Sequence, residues 1–183
     1  MRTFASLMAS IVVSLGLAAP AAPAAAAGAI GAATNSTFAL HANTLTITVP
    51  ASSNLGNGTH GNSLSAILGT ITVEDGRNGS MTWTATVTST NFTTGGGSAG
   101  ETITKGNVSY WSGPTTFSSG GGSRFPGQLT PADKVPLSSP VTAFRGTKAP
   151  LATVTSWQPT LVVSVPIAAV LGRYTGVITH TVT

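Results

Sequence analysis

The strongest constraint on the fold of this chain is a two-residue alternation between apolar residues and threonine. Residues 45–49 and 81–88 alternate Leu, Ile, Val, Met, Trp or Ala with Thr, and residues 174–182 repeat the pattern. A β-strand turns successive side chains to opposite faces, and threonine suits the solvated face of a pleated sheet. Helical periodicity is nearly absent. The sequence therefore predicts an all-β protein made of antiparallel strands with one wet face.

Turn signals divide the chain into short strands. Asp75-Gly76 and Asn78-Gly79 are turn dipeptides, and glycine triplets at 95–97 and 120–122 are typical of loop tips. About eight or nine strands in this length favour an immunoglobulin-like antiparallel β-sandwich. We expect one such domain over residues 28–183.

Prolines crowd the second half of that domain. Seven of them lie between residues 112 and 159. Because proline cannot donate a hydrogen bond to an interior strand ladder, this Pro/Gly-rich region is expected to consist of long connections around short edge strands at 141–145 and 152–156. A further edge strand is expected at 45–49.

The first 27 residues have the pattern of a secretory signal peptide. Arg2 supplies the positive charge, residues 4–19 are apolar or small, and Ala25-Ala26-Ala27 offers a cleavage site. The apolar stretch is short for a membrane anchor. The Ala/Pro-rich run at its end is typical of high-GC bacteria. We therefore expect a secreted bacterial protein that is extracellular or associated with the cell wall, without a membrane span after cleavage.

The composition limits which partners the protein can bind and which kinds of active site it can form. Only 7% of residues are charged and there is no cysteine, which excludes disulfides, thiol nucleophiles and cysteine-ligated metals. After residue 27, seven basic side chains stand against four acidic ones, a net charge of +3. The basic residues are scattered singly, whereas a nucleic-acid binder concentrates them. A wall polymer or another surface protein is the expected partner, since weak attraction to an anionic cell surface fits this charge.

Glycine-rich matches to known motifs lack their structural context. Residues 56–61 and 95–100 satisfy G-x-G-x-x-G, yet neither opens a helix that would meet a phosphate. Residues 96–100 also satisfy G-x-S-x-G without the strand and helix that a nucleophile elbow needs. The three histidines show no metal-ligand spacing. We expect no cofactor, no metal and no catalytic residue.

The carboxylates are few enough to consider one by one. Glu74 and Asp75 are adjacent, so a strand would turn them to opposite faces, and Asp75 is expected to form a turn with Arg77. An unrecognised hydrolase stays open as an alternative; it would need two acids converging in one cleft, drawn from Glu74, Asp75, Glu101 and Asp133.

Aromatic residues next to loops are the candidate ligand contacts, because their faces stack on sugar rings or peptide groups. The alternative is a structural role. It is the expectation for Trp83, and it would place Tyr110 in the core and Trp157 at the end of a sheet. The candidates are Tyr110, Trp111, Phe125 and Trp157.

Two stretches resemble the WxL surface domain of Gram-positive bacteria. The first contains Val73, Asp75 and Arg77 in a V-x-D-x-R pattern, followed by Trp83. The second is the closing strand with Tyr174 and His180. The two W-x-L positions read Trp83-Thr84-Ala85 and His180-Thr181-Val182 in this chain.

The resemblance implies a β-sandwich that attaches noncovalently to peptidoglycan. We interpret the five residues at the motif positions, Asp75, Arg77, Trp83, Tyr174 and His180, as architectural; His180 stands where the family has tryptophan. His180 is expected on the inward side of the last strand. The leading hypothesis is a secreted, non-catalytic module that binds wall glycan or serves as a structural surface protein. The alternative is an adhesin or assembly subunit that recognises protein partners through sheet edges.

Overall fold

The computed structural model describes residues 43–183, which fold as antiparallel β-structure with three single-turn 3-10 helices. The helical turns are Ala99–Glu101, Lys105–Asn107 and Pro131–Asp133. The fourteen strands are β1 (Leu45–Thr48), β2 (Ser63–Ile67), β3 (Ile71–Asp75), β4 (Met81–Ser89), β5 (Phe92–Thr93), β6 (Thr102–Ile103), β7 (Val108–Trp111), β8 (Thr115–Ser119), β9 (Arg124–Pro126), β10 (Val135–Pro136), β11 (Val141–Lys148), β12 (Thr153–Trp157), β13 (Thr160–Ser164) and β14 (Ile178–Val182).

One layer is built from three interrupted strands. β12 pairs with β3 and β8, and β13 pairs with β2 and β7. Only two or three residues separate β2 from β3, β7 from β8 and β12 from β13, so each pair continues as one long strand. β1 lies beside β3 at one edge, and β10 lies beside β7 at the other.

The second layer is a four-stranded sheet in the order β14-β4-β11-β9. A small pair, β5 and β6, forms its own two-stranded sheet, and its Phe92 and Ile103 pack in the core with residues of both layers. The predicted all-β antiparallel sandwich is confirmed. The strand count exceeds the expected eight or nine because the long strands are interrupted and because β5, β6, β9 and β10 have only two or three residues each.

An aromatic cluster joins the two layers. Trp83 of β4 and Phe144 of β11 come from the four-stranded sheet, and Trp157 of β12 comes from the other layer. The ring centroids of Phe144 and Trp157 are 4.8 Å apart, and those of Trp83 and Trp157 are 6.5 Å apart. All three side chains are buried, so the prediction of a core position for Trp83 is confirmed.

The expectation of edge strands in the proline-rich region is wrong. β11 pairs with β4 and β9, and β12 pairs with β3 and β8, so both are interior strands. The prolines interfere little because Pro140, Pro150 and Pro159 lie just outside the strands. Pro126 and Pro136 do fall within strands, but in the edge strands β9 and β10. The expected edge position of β1 is confirmed.

The last strand is shorter than its alternation predicts. β14 begins at Ile178, and before it only Thr175 forms an isolated bridge, to Thr93. Gly176 lies against the ring of Phe92, where a Cβ atom would come within 2.7 Å of the ring. Tight packing of the chain over Phe92 thus takes the place of regular pairing before residue 178.

The predicted signal peptide and its boundary at residue 27 lie outside the described residues. Within residues 43–183, no helix has the length and apolar character needed to cross a membrane.

Candidate functional site

Asp75 and Arg77 form a closed ion pair at the end of β3. The Arg77 Nη2 atom donates to Asp75 Oδ2 over 2.9 Å and Nε donates to Oδ1 over 3.0 Å, and the Arg77 backbone N–H also donates to Oδ1. Burial by itself raises the pKa of Asp75. The hydrogen bonds and charge of Arg77, with a contribution from Lys148, outweigh that effect and lower the pKa below its usual value.

Lys148 completes this cluster from β11. Its side chain is buried, and Nζ donates to the carbonyl oxygens of Arg77 and, over 3.2 Å, of Leu151. Arg77 Nη2 also donates to the carbonyl oxygen of Thr82 over 2.7 Å, so both charged partners of Asp75 are hydrogen-bonded to the backbone. The arrangement locks the β3–β4 turn to β11, which is the architectural role expected for Asp75 and Arg77.

The other three carboxylates lie apart from this cluster. Glu74 is exposed on the opposite face of β3, as its adjacency to Asp75 predicts. Glu101 accepts a hydrogen bond from the Ser98 backbone N–H, and Asp133 accepts hydrogen bonds from the Thr130 hydroxyl and backbone N–H, each closing its own 3-10 turn. These hydrogen bonds lower the pKa of both carboxyl groups. In residues 43–183, no three His, Asp or Glu side chains converge on a possible metal position.

A polar relay runs from the core to the surface through Trp157, Tyr110 and His180. The indole N–H of Trp157 donates to the Tyr110 hydroxyl over 3.3 Å, and that hydroxyl lies 3.2 Å from His180 Nε2. Burial raises the pKa of the Tyr110 hydroxyl and lowers the pKa of His180 to about 4. The imidazole is therefore neutral at pH 7. His180 is half-buried on the inward side of β14, as predicted, while His60 is exposed in its loop.

His180 also lines an apolar groove of about 210 Å³ between the two layers. One wall follows the chain after β1 and the other follows the chain that enters β14. Its rim carries the exposed side chains of Val49 and Val177. The lining residues that reach the core are Leu68, Ile71, Phe92 and Leu161.

The predicted aromatic contacts divide between core and surface. Tyr110 and Trp157 are fully buried, which supports the core alternative for both and not a ligand contact. Both lie between the layers because each is on the inward side of a strand that is paired on two sides. Trp111 is half-buried against Gly113, and Phe125 is 54% exposed on β9.

The outer surface of the four-stranded sheet is covered with threonine. Cross-strand register places Thr181, Thr86 and Thr142 in one row. We call this surface the threonine face; its threonines are Thr82, Thr84, Thr86, Thr88, Thr142, Thr147, Thr179, Thr181 and Thr183. Thr147 Oγ1 accepts a hydrogen bond from the Ser123 backbone N–H. The hydroxyl groups of the other eight make no hydrogen bond within residues 43–183.

One row of this face combines a threonine with a charged and an aromatic side chain. Thr84 is opposite Arg145, and Arg145 is opposite Phe125 on the far side. Directly opposed residues have Cβ atoms about 5 Å apart, so the two side chains leave the sheet side by side on the same face. Arg145 is exposed, and the described chain offers it neither an ion-pair nor a hydrogen-bond partner. It is the only charged side chain on the described threonine face.

Sequence reasoning did not single out Arg145. A bulge between Thr142 and Phe144 breaks the alternation of β11, so the sequence pattern does not indicate which face Arg145 is on. Tyr174, by contrast, has a structural position: its hydroxyl lies 2.9 Å and 3.0 Å from the carbonyl oxygens of Val170 and Gly100. It tethers the chain before β14.

No family model, curated protein or solved structure matches this chain. The resemblance to the WxL family thus stays a prediction that depends on the quoted motif residues.

Proposed function

We propose that this protein is a secreted, non-catalytic module that binds cell-wall glycan noncovalently through the threonine face. The observation that supports the proposal is a sheet surface on which eight hydroxyl groups and one arginine have no partner among residues 43–183, beside an exposed phenylalanine. Glycans present hydroxyl groups that exchange hydrogen bonds with such a surface and C–H faces that stack on an aromatic ring.

The strand geometry suits a polymer better than a small molecule. Neighbouring strands lie about 4.8 Å apart, and outward side chains on one strand repeat about every 6.8 Å. The face therefore offers a regular array of weak contacts rather than one deep pocket. Affinity would come from many sugar units bound at once, each contributing little.

Retention on purified cell walls tests the proposal. The domain 28–183 is expected to sediment with walls at moderate salt. Thr86→Tyr, at the centre of the face, should weaken retention about tenfold, because the tyrosine ring covers the neighbouring Thr181 and Thr142. The matched control is Thr46→Tyr, at an exposed threonine of β1 on the other layer. Failure of the unmodified domain to sediment, or equal loss in both variants, would remove the proposal.

A second candidate function is recognition of a protein partner at the apolar groove. The groove of about 210 Å³ opens between an edge strand of each layer, β1 and β14, and its rim carries the exposed side chains of Val49 and Val177 together with Ser52 and Ser53. An extended partner segment can add to a sheet edge by backbone hydrogen bonds while one of its apolar side chains fills such a groove. Val177→Asp would place a charge on this rim.

That variant separates the two candidates. Under the second candidate it abolishes capture of protein partners from a surface extract and leaves wall sedimentation unchanged. Capture that survives Val177→Asp would contradict the second candidate.

A further inference from the structure

In the part of the chain that the structure describes, Arg145 is the one charged side chain on the threonine face, and its charge indicates which class of glycan the face binds. Arg145 keeps a permanent positive charge. The four acidic side chains of the domain are all elsewhere: one is paired and buried, one is on the outside of the other layer, and two close 3-10 turns. Within the described residues, nothing on the protein neutralises this guanidinium.

Arg145 is also placed for a particular contact. Its neighbour Phe125 exposes 54% of its surface, enough to stack on one face of a sugar ring. Since the two residues are directly opposed on neighbouring strands, a ring stacked on Phe125 holds its own substituents within reach of the guanidinium. The fork of an arginine pairs two nitrogen donors with the two oxygens of a carboxylate.

Resting on the proposed function, we infer that the row Thr84–Arg145–Phe125 is a subsite for an acidic polysaccharide whose sugar rings carry carboxylate groups. Phe125 stacks on the sugar ring and Arg145 pairs with its carboxylate. The Thr84 hydroxyl exchanges a hydrogen bond with a hydroxyl group of the sugar. Neighbouring threonines bind the flanking units. Charge complementarity selects the acidic polymer over a neutral one.

The test uses one polysaccharide in two charge states. Polygalacturonate and its methyl ester have the same backbone, but esterification removes the negative charge. In the presence of a chelator, the domain is expected to bind polygalacturonate about tenfold more tightly than the ester at low salt. That difference should shrink as ionic strength rises, because exposed charge pairs are screened.

Variants assign the difference to the subsite. Arg145→Gln should abolish the preference for the acidic form. Arg173→Gln is the matched control, since Arg173 is exposed between β13 and β14, off the threonine face, and its loss changes net charge equally. Phe125→Ala should weaken binding of both forms, whereas Phe117→Ala, at an equally exposed ring on the other layer, should weaken neither.

The outcomes separate the two proposals. Equal binding of both forms by a domain that still sediments with walls would overturn the acidic subsite and leave the proposed function intact. Tighter binding of a poly(glycerol phosphate) probe than of polygalacturonate would also overturn it, in favour of phosphodiesters. Equal effects of Arg145→Gln and Arg173→Gln would show that the preference comes from net charge alone, which would overturn the subsite. Absence of wall sedimentation would remove the proposed function itself.

Discussion

The protein should lose stability in mildly acidic solution because of one half-buried histidine. His180 is held neutral by burial, which lowers its pKa to about 4 against 6.5 for an ordinary histidine. Below pH 6.5 the unfolded chain takes up a proton at this residue, while the folded protein does so only near pH 4. The free energy of unfolding therefore falls as pH falls through this window. Each unit of difference is worth about 1.4 kcal/mol, so the full loss is about 3 kcal/mol.

Urea unfolding followed by tryptophan fluorescence at a series of pH values measures this loss. The carboxylates with lowered pKa values, Asp75, Glu101 and Asp133, lose their contribution at lower pH than His180 does. The window between about pH 6.5 and about pH 4.5 therefore isolates the histidine. His180→Gln should flatten the dependence there, and His60→Gln, at an exposed loop histidine, should leave it unchanged.

Parallel curves for the unmodified protein and His180→Gln would refute the reasoning. They would mean that the imbalance in proton binding lies at another group, and that His180 is protonated in the folded protein without cost.

Three further substitutions test the packing. Asp75→Asn should cost about 3 kcal/mol of unfolding free energy in urea titrations, because it leaves Arg77 and the buried Lys148 without their counter-charge. The control Glu74→Gln should be nearly neutral. Equal losses in the two variants would contradict a stabilising role for the Asp75 cluster. Gly146→Ala should cost about 2–3 kcal/mol, since its Cβ would lie 2.3 Å from the Trp83 ring, whereas Gly106→Ala meets only an ordinary contact; thermal melting compares them. Tyr110→Phe should cost about 1–2 kcal/mol, because the buried Trp157 N–H loses its acceptor; Ser109→Ala on the same strand is the control, and an equal effect would show that the relay contributes nothing.

The alternation of threonine and apolar residues determined the fold class and the strands β1, β4 and β14 without tertiary information. A two-residue period has one physical solution, a pleated strand with one wet and one buried face. The same reasoning placed Trp83 inward and Asp75 and Glu74 on opposite faces. The Asp75–Arg77 turn followed from local spacing, because residues two positions apart at a turn can pair without help from the rest of the chain.

Tertiary structure decided which strands are interior and which side chains meet. Proline content suggested edge strands at 141–145 and 152–156, yet strand position depends on which distant segments pair, and β11 and β12 are each paired on both sides. In the sequence Tyr110 and Trp157 lie next to loops, but pairing on both sides of their strands encloses their side chains. Arg145 and Phe125 are 20 residues apart in the chain, and only the β9–β11 register makes them neighbours. Local alternation sets the direction of a side chain, but its partner across the sheet depends on long-range pairing that no short stretch of sequence encodes.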